Sequence, residues 1–361
     1  MIGILGGGQL ARMLALAGHP LGERFRALDP SPDAGVRDLG QLVVAPYDDP
    51  EALDALAAGC DVVTYEFERV PAASARRIAK ATPVHPHPGV LDVAQDRLTE
   101  KELFGRLGLA TPAFAPASSR AELDAAVSSV GIPAVVKTRR EGYDGKGQFV
   151  VNTPADLDRC WTALGGKDLI AEELVDFDRE LSVLAARSAD GDTVVYPVVE
   201  NVHRAGILHL SRAPAPDLAP ELQVAAEAHA RSVLDELDYV GVVAIELFEA
   251  GGRLMGNEMA PRVHNSGHWT IEGAVTSQFA NHLRAITGRP LGSAQARGHA
   301  AMVNLVGSLP DLGEVLRING AQLHLYDKPS RPGRKLGHVT LVADVPDELE
   351  QRLSLLTRLI G

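Results

Sequence analysis

Glu246 and Glu258 stand on either side of Gly251-Gly252, each inside a short apolar run, Ala244-Ile-Glu246-Leu-Phe and Met255-Gly-Asn-Glu258-Met. A glycine pair between two such runs predicts a tight β-hairpin. Folding about it brings Glu246 within about one position of directly opposite Glu258, so the two carboxylates converge. Like charges at cross-strand distance repel, and the pair needs a cation. Hard oxygen ligands suit Mg2+ beside a triphosphate, with phosphate oxygens and water completing the octahedron. Asn257 adds a neutral oxygen. The bland alternative is two acids on a solvated sheet face, and the flanking Ile245 and Leu247 fit either reading.

A triphosphate needs a cradle, and Lys137-Thr-Arg-Arg-Glu-Gly-Tyr-Asp-Gly-Lys-Gly-Gln148 could provide one. It is not a P-loop, because a strand rather than a helix follows and no Gly-Lys-Ser/Thr ends it. A glycine-rich loop between antiparallel strands can close as a flap, its N–H groups facing phosphate while Lys137 supplies a compact positive charge. Tyr143, Asp144 and Lys146 would ride on that flap. A solvated hairpin tip is the alternative. Gly6-x-Gly8-x-x-Ala11, with Asp29 ending the next strand, fits the dinucleotide fingerprint. Taken alone it suggests a dehydrogenase, although a plain phosphate site or a structural turn reads the same way. Arg262-Val-His264-Asn-Ser-Gly-His268 follows Glu258 directly. Arg262 could clamp a phosphate or carboxylate. The histidine spacing invites zinc, but no further Cys or His ligands stand nearby. Arg331-Pro-Gly-Arg334-Lys335 gathers three positive charges on one turn, either an anion site or a solvated surface.

The elements that must position these groups alternate strand and helix at the start. Strands at 2–5, 25–28, 42–45 and 62–64, with helices at 9–17, 51–58 and 72–81, predict a parallel sheet. This α/β domain ends near the proline-rich Pro83–Pro88, giving boundaries of 1–90. A helix is predicted from Asp92 to Leu107, stopped by Gly108. Strands at 134–137 and 149–151 flank the glycine loop. Further strands are predicted at 169–171, 180–186, 194–199, 242–248 and 253–259, with helices at 156–164, 220–237 and 276–286. These form an α+β domain over 91–290. The remainder, 291–361, reads as a small mixed domain with strands at 302–306, 322–326 and 338–342 and a terminal helix from Asp347.

The 361 residues carry a formal net charge of −12, which argues against a nucleic-acid coat but allows a local basic pocket. No apolar stretch approaches a membrane span, and the N-terminus lacks a signal peptide's basic start. Cys60 and Cys160 form no spaced framework, so a reducing cytoplasm and core thiols are expected.

Together these residues resemble the ATP-grasp superfamily, and within it the carboxylating ligases that act on 5-aminoimidazole ribonucleotide in purine biosynthesis. The matching strings are Gly8-Gln-Leu10, Gln95-Asp-Arg97, Gly142–Gln148, Asn257–Thr270, His324–Lys328 and Arg331–His338. They run from end to end, and Asn257–Thr270 is the most specific. The resemblance implies an ATP-grasp fold with an N-terminal Rossmann-like domain. It implies ATP and Mg2+ as cofactors, bicarbonate and 5-aminoimidazole ribonucleotide as substrates, and a homodimer. The reaction would pass through carboxyphosphate. By the same resemblance, Arg97, Lys137, Gly142, Tyr143, Asp144, Gly145, Lys146, Gly147 and Gln148 lie against the triphosphate. Glu172, Glu173, Leu174, Val175, Glu180 and His203 hold adenine and ribose. Glu246 and Glu258 hold metal, with Asn257 beside them. Gly8, Gln9, Asp144, Lys146, Arg262, His264, Arg334 and Lys335 surround the ribonucleotide, and Asp144, His264 and Lys335 steer its amine and protons. Two departures stand in the flap: Glu141 where the family often has glycine, and Lys146 where many relatives carry arginine, which keeps the charge but loses bidentate geometry.

A nicotinamide dehydrogenase would use the Gly6–Ala11 turn and leave the carboxylate pair and flap unexplained. A formate-using glycinamide ribonucleotide transformylase or a biotin carboxylase would share the fold and the metal pair. The Pro261–Trp269 and Arg331–His338 segments separate those ligases from the carboxylating family. A non-catalytic nucleotide-binding module would have no need of both acids and Lys137.

Overall fold

The computed structural model describes residues 1–140, 142 and 147–360. At the N-terminus, β1 (Ile2–Leu5), α1 (Gln9–Gly18), β2 (Phe25–Asp29), β3 (Gln41–Val44), α2 (Pro50–Ala57), β4 (Val62–Tyr65) and α3 (Ala72–Ile78) follow in sequence. The strands pair in parallel in the order β3-β2-β1-β4, as the alternation of apolar runs and helical segments predicts. β1 and β4 are buried along their whole length, the usual state of strands in a parallel sheet covered on both faces.

The single helix expected over Asp92–Leu107 is two helices, α4 (Gly89–Ala94) and α5 (Arg97–Arg106). Asp96 separates them. Its backbone is extended, and its carboxylate caps α5 by accepting from Leu98 N–H at 3.1 Å. The same carboxylate accepts two hydrogen bonds from the Arg139 guanidinium, at 3.0 and 2.6 Å. Apolar periodicity continues across the break, so spacing alone reads one helix where a cap makes two.

A second sheet follows. β5 (Phe114–Ala117) and α6 (Arg120–Val130), neither foreseen, lead into β6 (Ala134–Thr138), β7 (Gln148–Val151), α7 (Leu157–Ala163) and β8 (Leu169–Glu173). The order is β5-β8-β6-β7, all antiparallel. β6 and β7 flank the glycine loop as expected. Of that loop, Glu141, Tyr143, Asp144, Gly145 and Lys146 lie outside the described residues.

The rest of the chain builds one nine-stranded sheet. Its elements are β9 (Arg179–Arg187), β10 (Thr193–Val195), β11 (Val199–Arg204), β12 (Ile207–Ala213), α8 (Pro220–Glu236), β13 (Gly241–Ala250) and β14 (Arg253–Ala260). They continue with α9 (Thr270–Gly273), α10 (Gln278–Ile286), β15 (His299–Val306), α11 (Leu312–Leu316), β16 (Ala321–Leu325), β17 (Lys335–Ala343) and α12 (Pro346–Ile360). The order is β14-β13-β9-β11-β12-β15-β17-β16, with β10 on β9. The strand expected over Val194–Val199 is divided between β10 and β11 around Pro197, which has no N–H for a ladder.

One face of this sheet buries Val243, Ile245 and Leu247 against α8. The opposite face carries Glu246, Ser182 and Asn201 and is covered by the segment after β14, including the fully buried Trp269. α10 lies between the N-terminal sheet and the nine-stranded sheet. Its Phe279, Leu283 and Ile286 join Ile4, Leu14 and Phe25 in one core. Each such side chain stabilises by about 1.5–3 kcal/mol, which fixes the first domain against the strands that carry the acids.

Candidate active site

The hairpin between β13 and β14 turns on Gly251-Gly252, both at positive φ (55° and 72°), which a two-residue turn of this kind demands. From the turn the register runs regularly until a bulge between Glu246 and Leu247. Asn257 is the extra residue, and Glu246 pairs directly with Glu258. The bulge decides the chemistry, because a regular ladder would put Asn257 opposite Glu246 and turn Glu258 to the other face.

The two carboxylates differ in their partners. Glu258 accepts from Arg97 Nη1 at 2.7 Å. Burial pushes its pKa up, but the Arg97 charge outweighs this and holds it down to about 2. Glu246 faces His264, whose Nε2 lies 3.3 Å from Oε1. Burial, and then the charge of Glu258, push Glu246 up to about 7. The pair thus resists carrying two charges unless a cation joins it. Among the described residues no cluster of three or more His, Cys, Asp and Glu side chains could hold a metal. Two facing carboxylates fit Mg2+, which takes waters and phosphates for the rest of its shell, and do not fit a closed zinc site.

Behind Glu258 lies a buried ionic layer. Glu172 on β8 accepts from Lys137 at 2.9 Å and lies 3.1 Å from Lys101 Nζ. Lys101, 1% exposed, also donates to the Asn257 carbonyl at 3.3 Å. Glu100 accepts from Met259 N–H at 2.6 Å, and burial followed by the Glu258 charge raises its pKa to about 8. Glu100, Lys101 and Asp96 went unassigned in the sequence. The available signal was helical spacing, since positions three and four after Arg97 share its face.

His264 is held from two sides. Its backbone N–H donates to Gln278 Oε1 at 2.8 Å and its carbonyl accepts from Gln278 Nε2 at 2.7 Å. Its Nδ1 meets Ser266 Oγ at 2.9 Å and accepts from Ser266 N–H at 3.3 Å. Burial, and then Arg262 and Lys335, hold its pKa well below the usual histidine range, so the ring is neutral. His268 turns away into the sheet, packing on Phe279, Tyr326 and His338. The two rings point apart but share Gln278, whose Nε2 donates to the His264 carbonyl and lies 3.2 Å from His268 Nδ1.

Glu180 and His203 meet on the same sheet face, Oε2 to Nδ1 at 2.6 Å. Burial opposes the charge on His203, but Glu180 raises its pKa above the ordinary value. Glu172, Glu173, Leu174 and Val175 lie at and just beyond the end of β8, with Leu174 exposed. Arg262 donates to Glu68, binding the segment after β14 to the loop after β4. Lys335 opens β17 and acts electrostatically on Glu246, His203 and His264. Arg331, Arg334 and Lys335 all lie close enough to Lys328 to add to burial in lowering its pKa. Lys328 in turn donates to Gln9 Oε1 at 2.6 Å. The basic turn thus joins the N-terminal glycine turn at one site.

That glycine turn has an occupant from its own chain. Glu66 accepts from Gly8 N–H at 2.5 Å and from Ala11 N–H at 2.9 Å. A Cβ on Gly6, at φ 102°, would meet Glu66 Cγ at 2.4 Å, and one on Gly8 would meet Glu66 Oε1 at 2.7 Å. The donors a dinucleotide pyrophosphate requires are taken by a carboxylate, and the dehydrogenase alternative loses its site.

Comparison with known proteins agrees along the whole chain. An ATP-grasp domain family matches residues 102–279. A ribonucleotide synthetase preATP-grasp domain matches 1–95, and a phosphoribosylaminoimidazole carboxylase C-terminal domain matches 300–352. The N5-carboxyaminoimidazole ribonucleotide synthase of Pseudomonas aeruginosa is 49% identical over 359 residues, 99% of each chain. The chain belongs to the N5-carboxyaminoimidazole ribonucleotide synthase family. The family's crystal structure from Thermus thermophilus superposes with a TM-score of 0.97 at 54% identity, covering 100% of this chain and 99% of that one. The family's Aspergillus clavatus structure, in complex with ADP and 5-aminoimidazole ribonucleotide, gives 0.93 at 32% identity over 99% and 98% of the two chains.

Proposed function

We propose that this protein couples ATP cleavage to carboxylation of 5-aminoimidazole ribonucleotide by bicarbonate, giving the N5-carboxylated nucleotide, ADP and phosphate. The observation that carries the reading is the bulge that sets Glu246 opposite Glu258 on the strand running into Arg262 and His264. Metal-binding and substrate-facing residues thereby share one short segment.

In this reading Glu246 and Glu258 hold Mg2+, which when bound offsets charge on the transferring phosphoryl group. Arg97 and Lys137 add fixed positive charge on the triphosphate side. Their carboxylate partners Glu258 and Glu172 keep them oriented before the nucleotide arrives. Gly142, Gly147 and Gln148, together with Tyr143, Asp144, Gly145 and Lys146, are assigned to the triphosphate side by the family resemblance. The adenine and ribose side falls to Glu172–Val175, Glu180 and His203. Bicarbonate is a poor electrophile, and phosphorylation gives it a leaving group. Carboxyphosphate is short-lived in water, so the flap must exclude solvent. Gly8, Gln9, Arg262, Arg334 and Lys335 hold the ribonucleotide. His264, with Asp144 and Lys335, steers the attacking amine and its protons. Free thiols at Cys60 and Cys160 support a reducing, cytoplasmic setting.

The test is ADP release with bicarbonate and Mg2+, with and without 5-aminoimidazole ribonucleotide. The reading expects strong stimulation by that substrate and one carboxylated product per ADP. ADP release indifferent to the ribonucleotide would overturn it.

A further inference from the structure

Under the 264–267 turn, the nine-stranded sheet carries a line of buried polar side chains that the proposed chemistry does not touch. Ser211 on β12 donates its hydroxyl to Asn201 Oδ1 at 2.8 Å. Asn201 on β11 donates from Nδ2 to Ser182 Oγ at 3.0 Å. Ser182 on β9 donates to Ser266 Oγ at 2.8 Å, and Ser266 Oγ reaches His264 Nδ1 at 2.9 Å. Ser182, Ser211 and Ser266 are fully buried and Asn201 is 5% exposed. The line crosses three adjacent strands, because Asn201 pairs with Ser211 and lies on the same face as Ser182.

Its direction follows from hydrogen-bond chemistry. A side-chain amide can only donate from nitrogen. Asn201 therefore gives a hydrogen to Ser182, whose own hydrogen goes on to Ser266. The Ser266 hydroxyl hydrogen is left to point at His264. Every donor along the line faces the histidine. With Nδ1 accepting from Ser266 Oγ, and from Ser266 N–H as well, the ring hydrogen of neutral His264 sits on Nε2, toward Glu246.

We infer that Ser182, Asn201 and Ser211 are positioning residues that act through Ser266 to fix the ring orientation and tautomer of His264. The inference rests on the functional reading only for the consequence in turnover. The tautomer itself belongs to the resting protein. A serine or asparagine buried in a sheet core costs stability unless fully bonded, and here the bonding converges on one ring. An apolar core would fill the same volume without setting that ring.

The experiment is a cycle of Ser182→Ala, Ser266→Ala and the double variant, with Ser211→Ala at the far end as a second probe. Turnover is measured as ribonucleotide-stimulated ADP release. The tautomer is read from long-range 1H–15N spectra of ring-labelled histidine in ligand-free protein. Each of Ser182→Ala and Ser266→Ala should lower kcat by roughly tenfold, the lower end for residues supporting a functional histidine, and leave the KM for ATP within about twofold. The double variant should fall no further than Ser266→Ala alone, because Ser182 acts only through Ser266. Ser211→Ala should lower kcat less, and also without adding to Ser266→Ala. Wild-type His264 should show hydrogen on Nε2 and a bare Nδ1, and Ser266→Ala a mixture. Losses that multiply in the double variant, unchanged kcat in the single variants, or a wild-type ring carrying its hydrogen on Nδ1 would each overturn the inference. Should wild-type ADP release ignore the ribonucleotide, the functional reading fails while the ring spectra still decide the positioning role.

Discussion

Two glycine-marked turns in this molecule look alike in sequence and have opposite electrostatic fates. At Gly6–Gly8 the chain makes an anion site and fills it itself, with the Glu66 carboxylate on two backbone N–H groups at the start of α1. At Gly251-Gly252 the chain makes a hairpin that forces Glu246 against Glu258 and supplies too little positive charge for both. The first turn is complete on folding. The second, in the function proposed above, is completed by Mg2+. Occupancy by the chain's own carboxylate takes the Gly8 and Ala11 N–H groups away from a pyrophosphate, so any ligand at Gly8 and Gln9 must be met by other atoms.

The largest effect that would break this contrast belongs to the hairpin. Glu258→Gln should lower turnover by about 10²–10³-fold, the scale for losing one preorganised electrostatic contact in phosphoryl transfer, and excess Mg2+ should not restore it. Near-normal ADP release would show that the pair is a structural feature like the first turn. Next comes the ionic layer behind it. Lys101→Met should cost about 3 kcal/mol of stability, because it removes one of the cations paired with buried Glu172, and a urea titration reads this as a lower midpoint. An unchanged midpoint would mean that Lys137 alone balances Glu172.

At the first turn, Glu66→Gln keeps an acceptor for only one of the two N–H groups, which bond separate oxygens, and removes a charge that burial disfavours. Its cost should be about 1 kcal/mol, with the KM for ATP unchanged within about twofold. A large rise in that KM would place the nucleotide at the glycine turn after all. The smallest effect concerns the Arg262–Glu68 bridge between the two regions. Burial pushes Glu68 up, but Arg262 holds its pKa below the ordinary value. Its contribution is therefore present above the unfolded glutamate pKa of about 4.3 and disappears as pH falls through the lower folded value. The gap in unfolding midpoint between wild type and Glu68→Gln should narrow on acidification below about pH 4. A gap that widens there would reverse the sign of the pair.

Legibility followed sequence distance. The parallel first sheet, the β6–β7 strands around the glycine loop and the β13–β14 hairpin are written in local apolar runs and glycines. So was the convergence of Glu246 and Glu258, to within one position. The bulge that completes it depends on how β14 settles against its partner, and Asn257 carries no local mark of being the extra residue. The occupant of the first turn was illegible, because Glu66 reaches Gly8 from another strand of the sheet. Asp96 lies within a matching string, yet its place at the helix break is braced by Arg139, distant in sequence and just after β6. Glu100 and Lys101 look like a solvated helix face until β8 and β14 close over them. The turn at 331–335 could be read as surface or as an anion site, and contacts just before it, Lys328 with Gln9 and Asp327 with Arg37, tie it to the N-terminal domain.

The central claim is that the hairpin carboxylates are completed by a metal ion arriving with the nucleotide. Electron paramagnetic resonance of Mn2+ as a Mg2+ substitute, titrated with the protein in the presence and absence of ATP, tests it directly. Wild-type protein should bind the ion tightly only with ATP present, and Glu246→Gln and Glu258→Gln should each lose that ATP-dependent binding while remaining folded. ATP-dependent Mn2+ binding that survives in both variants would contradict the account.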